Sequence, residues 1–333
     1  MGRKVNITDI AREMGVTPST VSRALSGSPR VKESTRLAVQ KKAKEMGYER
    51  NIMASCLRKG VTKVVGVIVP RINRQFFSNI ISSAESVLRE AGYTVIVCQS
   101  LEELENEVNA LRTLSENRVS GIFISHSIES LEGSHIMELV GDNIRLVQFD
   151  RTFPSLPGIK VVNDNEKGGY DATMCLIRSG YKRIGVISGH LTTGIFEERY
   201  AGYRRALTES GIEPDESLVF GESLLREDGY AKGKEAIAKG CDAVYCTGDY
   251  TSLGVMHAAL EAGLRVPEDF GLVGTANEDF TALTTPDIST LEQNPELIGR
   301  KAAEAFLSSS EGDEYTVVVP MDLIERQSSK KQQ

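Results

Sequence analysis

The distribution of apolar and polar positions changes at Val64, and from there onward two patterns alternate. Short runs rich in Val, Ile and Phe are typical of strands buried on both faces, whereas longer segments with apolar residues every three or four positions indicate amphipathic helices. The predicted strands span residues 64–69, 94–98, 121–125, 145–149, 183–188, 218–220, 243–247 and 270–274. The predicted helices span residues 76–90, 102–116, 131–140, 166–179, 197–210, 229–239 and 252–262. The pattern therefore predicts an α/β body with two doubly wound, parallel-sheet lobes.

The N-terminal 63 residues instead predict short helices joined by tight turns. Thr8 is the expected N-cap of the first helix, and Gly15 is its expected left-handed stop. Thr17 and Pro18 suit the start of a second helix, which we expect to end near Leu25. Two helices this close form an all-α helix-turn-helix.

A third helix is predicted from about Lys32 to Met46. The apolar residues of the three helices recur at helical spacing and predict one small core. These residues are Ile10, Met14, Val21, Leu25, Val39, Ala43 and Met46.

The charge of the chain divides at nearly the same place. Residues 1–63 hold 14 Lys and Arg against 5 Asp and Glu, a balance of +9, whereas the rest holds 25 against 41, a balance of −16. A polyanion is attracted to the first segment and repelled by the second. This asymmetry favours nucleic-acid binding by the N-terminal segment.

Several other functions find little support. The five cysteines occur singly and the four histidines show no ligand spacing, so we expect reduced thiols, no metal site and no cofactor. No apolar stretch reaches the ~18 residues that a membrane span needs, and the first residues are polar. We therefore expect a cytoplasmic protein.

The exposed face of the second helix carries the candidate chemistry for DNA. In a helix-turn-helix this face enters the major groove, and here it presents Pro18, Ser19, Ser22 and Arg23. Arg23 can pair with guanine O6 and N7, and the serines can donate to bases or phosphates. The alternative is that Arg23 only neutralises phosphates or is solvated.

The N-terminal segment closely resembles the headpiece of the LacI/GalR family of bacterial repressors. The matching residues are 5–27, Val31, Thr35, Arg36 and the pair at 47–48. In that family the segment matching residues 51–58 is a hinge helix, and a leucine at the position of Leu57 inserts into the minor groove. Eight residues are too few for a stable isolated helix, so its folding can be coupled to DNA binding. The alternative for Leu57 is a linker residue packed on the body.

Together the exposed face and the resemblance assign eleven residues to DNA binding. They are Thr8, Thr17, Pro18, Ser19, Thr20, Ser22, Arg23, Asn51, Ala54, Leu57 and Arg58.

The resemblance extends through the body, at residues 118–122, 150–151, 164–165, 180–185, 199–203, 263–269 and 323–326. It implies two lobes of the periplasmic-binding-protein type, with a ligand cleft at the carboxyl ends of the strands. The expected domains are a headpiece at 1–49, a hinge and linker at 50–63, an N-terminal lobe at 64–163 plus 292–320, and a C-terminal lobe at 164–291 plus 321–333.

Six residues are expected to bind the effector: Phe76, Phe77, Asp150, Arg199, Asp249 and Asn277. Arg199 matches an arginine that holds ligand hydroxyls or carboxylates in the family, and its alternative is a salt bridge to Glu197 or Glu198. Asp249 can instead be only a helix N-cap. Of the two phenylalanines, one is expected to face the cleft and the other the core.

One segment departs from the family pattern. The family usually has Gly-aromatic-Asp after the strand that ends at Gly274, and the acid accepts bonds from ligand hydroxyls. This chain has Gly274, Thr275 and Ala276, followed by Asn277. Our hypothesis is that the ligand is not a plain neutral sugar. An anion, such as a sugar phosphate or uronate, would be gripped by Arg199 with Asn277 nearby.

The sequence thus favours a homodimeric transcription factor, most simply a repressor, which binds a pseudo-palindromic operator under control of a sugar or sugar derivative. No C-terminal leucine heptad for tetramers is present. Two alternatives remain: an enzyme fused to a helix-turn-helix, for which we find no phosphate-binding or nucleophile motif, and a periplasmic-type binding protein, for which a signal peptide is missing.

Overall fold

The computed structural model describes residues 5–26, 28, 30–48, 62–141, 144–310 and 312–331. The chain divides into two compact units, Met1–Thr62 and Lys63–Gln333. In the described residues no helix is both long and apolar enough to cross a membrane.

Among its described residues, the first unit contains the helices α1 (Ile7–Met14), α2 (Pro18–Leu25) and α3 (Glu33–Glu45). Their apolar faces meet in one core, as the spacing predicted. Ile10, Ala11, Val21, Ala24, Val39 and Ala43 are buried there, and Met14, Leu25 and Met46 pack against them.

The caps explain where the helices begin and end. The prediction of Thr8 as the cap of α1 is wrong, because the Asn6 side chain accepts hydrogen bonds from the backbone amides of Thr8 and Asp9. The Asp9 carboxylate in turn accepts a hydrogen bond from the backbone amide of Asn6, which completes a capping box. Gly15 ends α1 at φ 63°, and the Thr17 hydroxyl caps α2 through the amide of Thr20.

In the second unit, the described residues form two six-stranded sheets. The first sheet has the order β11-β5-β4-β3-β1-β2 and is parallel throughout. Its strands are β1 (Val64–Val69), β2 (Thr94–Gln99), β3 (Gly121–Ile124), β4 (Arg145–Phe149), β5 (Ile159–Asn163) and β11 (Tyr315–Val319).

The second sheet has the order β12-β10-β9-β8-β6-β7, and only β12 is antiparallel to its neighbour. Its strands are β6 (Ile184–Ile187), β7 (Val219–Phe220), β8 (Ala243–Cys246), β9 (Gly271–Thr275), β10 (Ser289–Glu292) and β12 (Asp322–Ile324).

Helices cover both faces of each sheet, which is why the central strands are apolar on both sides. The first lobe carries α4 (Gln75–Glu90), α5 (Leu104–Glu116), α6 (Ser134–Leu139) and α11 (Pro295–Ser308). The second lobe carries α7 (Asn165–Arg178), α8 (Gly194–Glu209), α9 (Arg226–Ala238) and α10 (Asp249–Glu261).

The chain passes between the two sheets three times, after β5, β10 and β11. The amide of Asn163 ties these passages together, because it donates to the carbonyl oxygens of Gln293 at 2.9 Å and Val319 at 3.2 Å. Glu292, which the sequence analysis placed in the first lobe, is the last residue of β10 in the second sheet.

The start of α5 also differs from the prediction. We expected this helix from residue 102, but Leu101 and Glu102 have φ values of 57° and 72°, and α5 begins at Leu104. The Glu102 side chain turns to a buried arginine, Arg151, to which it is bonded at 2.6 and 3.1 Å. This ion pair, rather than helix propensity, determines the conformation of the loop before α5.

Candidate functional site

The second helix of the first unit presents a polar face. Val21 and Ala24 are buried, whereas Pro18, Ser19 and Arg23 are exposed. One side of α2 thus packs into the core and the opposite side faces solvent, as the sequence predicted.

Hydroxyl groups gather at the start of α2. The Thr17 hydroxyl lies 2.8 Å from that of Ser19 and 2.9 Å from that of Thr20. A helix N-terminus with exposed hydroxyls is a favourable place for a phosphate oxygen, because the amides and the helix dipole carry partial positive charge. Of the other predicted DNA-binding residues, Ser22 is half-buried and Thr8 is exposed, and Asn51, Ala54, Leu57 and Arg58 lie outside the described residues.

In the second unit a cavity lies between the two lobes, at the carboxyl ends of their strands. The space that no protein atom fills is about 640 Å³, including a part open to solvent. A cleft at this position, with apolar walls and a few polar groups, is a common place for a small ligand. Five of the six predicted effector residues border it: Phe76, Phe77, Asp150, Arg199 and Asp249.

Phe76 and Phe77 form an aromatic wall at the start of α4. Their rings meet edge to face, with centroids 5.1 Å apart, and both side chains are buried. Both border the cavity, where the sequence predicted that only one would.

Arg199 is only 3% exposed and projects from α8 to the cavity. Its Nε donates to Oδ1 of Asn165 and its Nη1 to the carbonyl oxygen of Thr247, both at 3.0 Å. The alternative of a salt bridge to Glu197 or Glu198 is wrong: within the described part of the chain, Arg199 has no acidic partner at ion-pair distance. Two neutral oxygens therefore hold a buried guanidinium in place.

Asp249 is the first residue of α10 and is 2% exposed. The alternative, in which Asp249 is only the helix N-cap, is wrong, because Gly248 is the N-cap. The Asp249 carboxylate accepts hydrogen bonds from the amide of Glu278 at 2.9 Å and from the hydroxyl of Thr290 at 2.8 Å. Burial raises the pKa of Asp249 to about 7, although both hydrogen bonds lower it.

Asp150 follows β4 with a φ of 58° and is also buried. It accepts a hydrogen bond from the Ser125 hydroxyl at 3.0 Å, and burial raises its pKa. The next residue, Arg151, borders the cavity as well, which the sequence analysis did not predict. Its position beside Asp150 at a strand end was the available signal.

The segment after β9 only partly matches the prediction. Thr275 and Ala276 border the cavity, but Asn277 does not. The Asn277 amide donates to Glu292 at 2.9 Å and accepts from Arg326 at 2.8 Å. These bonds occupy its side chain, so the expectation of Asn277 beside the ligand is wrong.

Glu278 borders the cavity instead, and it reaches across to the first lobe. Hydrogen bonds from the backbone amides of Gln75 and Phe76 lower its pKa, but burial raises the pKa more. Nearby, Gln75 and Asp279 exchange two hydrogen bonds, of 2.8 and 2.9 Å. These contacts join α4 of the first lobe to the second lobe beside the cavity.

A second contact between the lobes involves Arg74. Its guanidinium carbon lies 3.6 Å from the ring centroid of Tyr250, and both residues border the cavity. No specific signal in the sequence points to Arg74, because it lies in the loop immediately before α4. Over the described ranges, no group of three or more His, Cys, Asp or Glu side chains is arranged to hold a metal ion.

A helix-turn-helix with an exposed second helix, in the same chain as a two-lobed body with a polar cavity, defines a class of ligand-responsive DNA-binding regulators. Comparison with known families specifies it further. Residues 6–51 match the lacI family of bacterial regulatory proteins, and residues 174–329 match a periplasmic binding protein-like domain.

Relatives that align over most of the chain belong to the same class of regulators. The regulator RegA of Clostridium saccharobutylicum is 34% identical over 335 residues, which cover 97% of this chain and 99% of RegA. The repressor PurR of Vibrio atlanticus is 32% identical over 303 residues, 90% of each chain. The lac repressor dimer, solved with operator and the anti-inducer ONPF, has the same fold, with a TM-score of 0.85, 23% identity and coverage of 98% and 99%.

The chain belongs to the lacI family of bacterial regulatory proteins. It is a DNA-binding transcriptional repressor with a ligand-binding body, and its relatives are regulators rather than enzymes.

Proposed function

We propose that this repressor controls a carbohydrate-related operon and responds to a sugar or sugar derivative bound between the lobes. The observation that supports this is the composition of the cavity wall. An aromatic pair, three buried carboxyl groups and two buried guanidinium groups border one space, from both lobes. Aromatic faces pack on the C–H groups of a sugar ring, and carboxylates and guanidinium groups bond its hydroxyls.

On the DNA side, we assign base reading to the exposed face of α2. Arg23 would donate to a guanine in the major groove, while Ser19 and the Thr17–Thr20 hydroxyls would position the helix on the phosphates. The hinge segment, with Asn51, Ala54, Leu57 and Arg58, would bind the minor groove at the operator centre.

The protein would act as a homodimer in the cytoplasm, where its operator is. One headpiece reads only a few base pairs, and two headpieces related by a two-fold axis read a pseudo-palindrome. Apolar side chains exposed near the β2 edge of the first sheet provide a surface for this association: Ile96, Val97, Leu101 and Leu104 are 37–42% exposed.

The mechanism is a shift between two arrangements of the lobes. A ligand that contacts both lobes binds one closure angle better than the other, and it shifts the equilibrium by that difference in affinity. A change in closure would rotate the first lobes of the dimer relative to each other and alter the spacing of the hinge segments.

A purine is the second candidate for the ligand, because a relative that is 32% identical is the repressor named PurR. A flat base could stack on the wall formed by Phe76 and Phe77. It would offer the cavity fewer hydroxyl groups for Asp150 and Asp249 than a sugar does.

Operator selection from random DNA, followed by footprinting of the selected sites, tests the proposal. We expect a protected inverted repeat whose affinity falls steeply with salt and changes when sugars, sugar acids or sugar phosphates are added. A response to purines alone would replace the sugar with the second candidate. The absence of any protected repeat at low salt, with or without these metabolites, would remove the DNA-binding assignment.

A further inference from the structure

An ion pair lies between the cavity and the β2 edge of the first sheet. Arg151 borders the cavity, and its Nη1 and Nη2 donate to the two carboxylate oxygens of Glu102, at 2.6 and 3.1 Å. Both side chains are largely buried, and a two-pronged pair of this kind holds its partners in one relative orientation. Glu102 belongs to the loop that joins β2 to α5, so this loop is bonded to a residue of the cavity wall.

The second lobe contacts the same arginine. The ring of Phe196, in the first turn of α8, borders the cavity, and its centroid lies 5.9 Å from the guanidinium carbon of Arg151. A cation within about 6 Å of an aromatic ring is attracted to it. A change in the angle between the lobes therefore changes the contact that Phe196 makes with Arg151.

The loop that contains Glu102 has an unfavourable backbone conformation. Leu101 and Glu102 have φ values of 57° and 72°, although neither is a glycine. Left-handed backbone at two consecutive residues with a Cβ is strained, and it persists only where neighbouring contacts hold it. Here the contacts are the ion pair with Arg151 and a hydrogen bond of 3.0 Å from the amide of Ile128 to the Glu102 carboxylate.

The same residues favour a second conformation. Leu101, Glu102 and Glu103 are good helix formers, and the sequence pattern predicts a helix from residue 102, whereas α5 begins at Leu104. Release of Glu102 from Arg151 would let the loop adopt right-handed backbone and lengthen α5 at its start. The loop thus has two conformations available, and the ion pair selects one of them.

This selection affects the apolar surface near the β2 edge. Leu101 and Leu104, at the two ends of the loop segment, are 40% and 37% exposed, and Ile96 and Val97 of β2 are exposed beside them. Successive side chains of a helix point about 100° apart, so a longer α5 would turn Leu101 to a new direction. The surface that we propose for the dimer would then lose one of its four apolar side chains.

We propose that the ion pair of Arg151 and Glu102 transmits the closure of the lobes to the dimer surface near the β2 edge. Phe196 moves with the second lobe and displaces the guanidinium, and Glu102 passes the displacement to Leu101. Arg151 and Glu102 are therefore positioning residues, which act on the dimer through the loop. The inference rests on the proposed function, since it requires that two copies associate near β2 and that the effector changes lobe closure.

Hydrogen exchange of the full-length chain, without any added metabolite, tests the first step. Phe196→Leu removes the ring from Arg151 and leaves the sequence of the first lobe unaltered. We expect amide exchange in the peptide that covers residues 101–108 to become roughly fivefold faster or more, because the pair holds the loop less firmly. Phe220→Leu is the matched control: Phe220 is a buried phenylalanine in the core of the same lobe, and its replacement should leave this peptide at the wild-type rate.

Sedimentation equilibrium of the same proteins tests the second step. Glu102→Gln removes the charge and keeps the size of the side chain, and it should raise the dissociation constant of the dimer roughly fivefold or more. Phe196→Leu should raise this constant too, and the double variant should equal Glu102→Gln alone, because both changes act through one pair. Glu105→Gln, at an exposed glutamate of α5, is the control and should dissociate like the wild type. If Glu102→Gln does not fold, the exchange rates of Phe196→Leu and its control still decide.

Wild-type exchange of residues 101–108 in Phe196→Leu would overturn the inference, and so would equal acceleration in Phe220→Leu. An unchanged dissociation constant in Glu102→Gln, or additive effects of the Glu102 and Phe196 substitutions, would overturn it as well, because independent routes add. Footprinting of the operator does not depend on these outcomes. A repressor that protects an inverted repeat but shows no such coupling would retain the proposed function and lose this transmission.

Discussion

Gly274 and Asp249 lie in such close contact that no side chain fits between them. A Cβ on Gly274 would overlap Oδ1 of Asp249 and the Ser252 hydroxyl. The strand β9 thus approaches the start of α10 closely enough to bury the carboxylate and place it against Thr290 and the amide of Glu278. The glycine at this strand end is therefore required for the position of a cavity residue.

Gly274→Ala should consequently destabilise the body by about 1–3 kcal/mol, because the carboxylate must leave its hydrogen bonds to make room. Urea unfolding of the full-length chain measures the change. Gly221→Ala is the control: a Cβ there meets no heavy atom within 4 Å, and its effect should stay within about 0.5 kcal/mol. Equal stability of the two variants would show that Asp249 can move freely.

The ionisation of Asp249 gives a prediction about pH. Its pKa is about 7 in the folded chain and 3.8 in the reference state, so the folded protein holds a proton that the unfolded chain releases. Stability that is fully present below pH 4 is therefore lost as pH rises through 7. Of the neighbouring charges, Glu278 raises this pKa and Arg326 lowers it.

Asp249→Asn removes this titration. The free energy of unfolding of the wild type minus that of the variant should fall between pH 5 and pH 7.5, with a slope of at most about 1.4 kcal/mol per pH unit. Urea titrations at four pH values measure the difference. Parallel curves for the two proteins would mean that Asp249 is ionised throughout this range.

A second close contact of backbones supports Arg199. Helices α7 and α8 cross at Gly169 and Gly202, and a Cβ on Gly202 would overlap the carbonyl oxygen of Glu166 and the amide of Tyr170. Gly202 lies one turn after Arg199, whose own carbonyl oxygen contacts Gly169. The packing of two glycines thus sets the distance of Arg199 from the cavity.

Gly202→Ala should therefore lower the affinity for the effector about tenfold or more, although Gly202 is not part of the cavity wall, and should also lower stability. Gly194→Ala, in the same helix, is the matched control, because a Cβ there meets nothing within 4 Å and alanine favours the helix. Calorimetry with the sugar that changes operator binding and urea unfolding give the two readouts. A Gly202→Ala variant with wild-type affinity would separate helix packing from the binding site.

Most of the fold follows from the sequence because the central elements are long and apolar. The strands β1 and β4 have their predicted bounds, since runs such as 64–69 are buried on both faces. The elements that the pattern did not identify are β5, β10, β11, β12 and α11. The four strands lie next to the passages between lobes, and β11 and β12 are edge strands with many exposed positions, which weakens the apolar signal.

The cavity was predicted less completely for a different reason. The family resemblance indicated Arg199, and Asp249 was singled out where a strand gives way to a helix. Arg74 and Glu278 are brought in by contacts between the lobes, which no local pattern encodes. Asn277 illustrates the opposite error. It is close to the cavity in sequence, yet its amide is occupied by Arg326 and a glutamate, and only the tertiary structure determines that choice.

The substitution Arg23→Ala tests whether Arg23 reads a base or only neutralises phosphates. If Arg23 donates to a guanine, Arg23→Ala should weaken operator binding by about 1–3 kcal/mol and relax the preference at one base pair of each half-site. If it only contacts phosphates, binding should weaken equally on all sequences, and the salt slope should fall by about one. Arg12→Ala, an exposed arginine of α1, is the control, and binding to operators with single base changes is the measurement.

The homodimer gives a last prediction, which compares the two edges of the first sheet. On one edge, β2 exposes Ile96 and Val97, at 39% and 42%, and on the opposite edge β11 exposes Tyr315 at 42% and Val318 at 58%. The β2 edge also adjoins the exposed side chains of Leu101 and Leu104, so among the described residues it presents four apolar side chains against two on the β11 edge.

If two copies associate through β2, a lysine at Val97 places like charges at the interface and should yield a monomer in light scattering, while Val318→Lys should remain dimeric. The monomer should also bind a pseudo-palindromic operator at least about 100-fold more weakly, because the second headpiece no longer binds at high effective concentration. Both edges are exposed, so lysine at either is tolerated by the fold itself. A dimeric Val97→Lys, or a monomeric Val318→Lys, would place the interface elsewhere on the body.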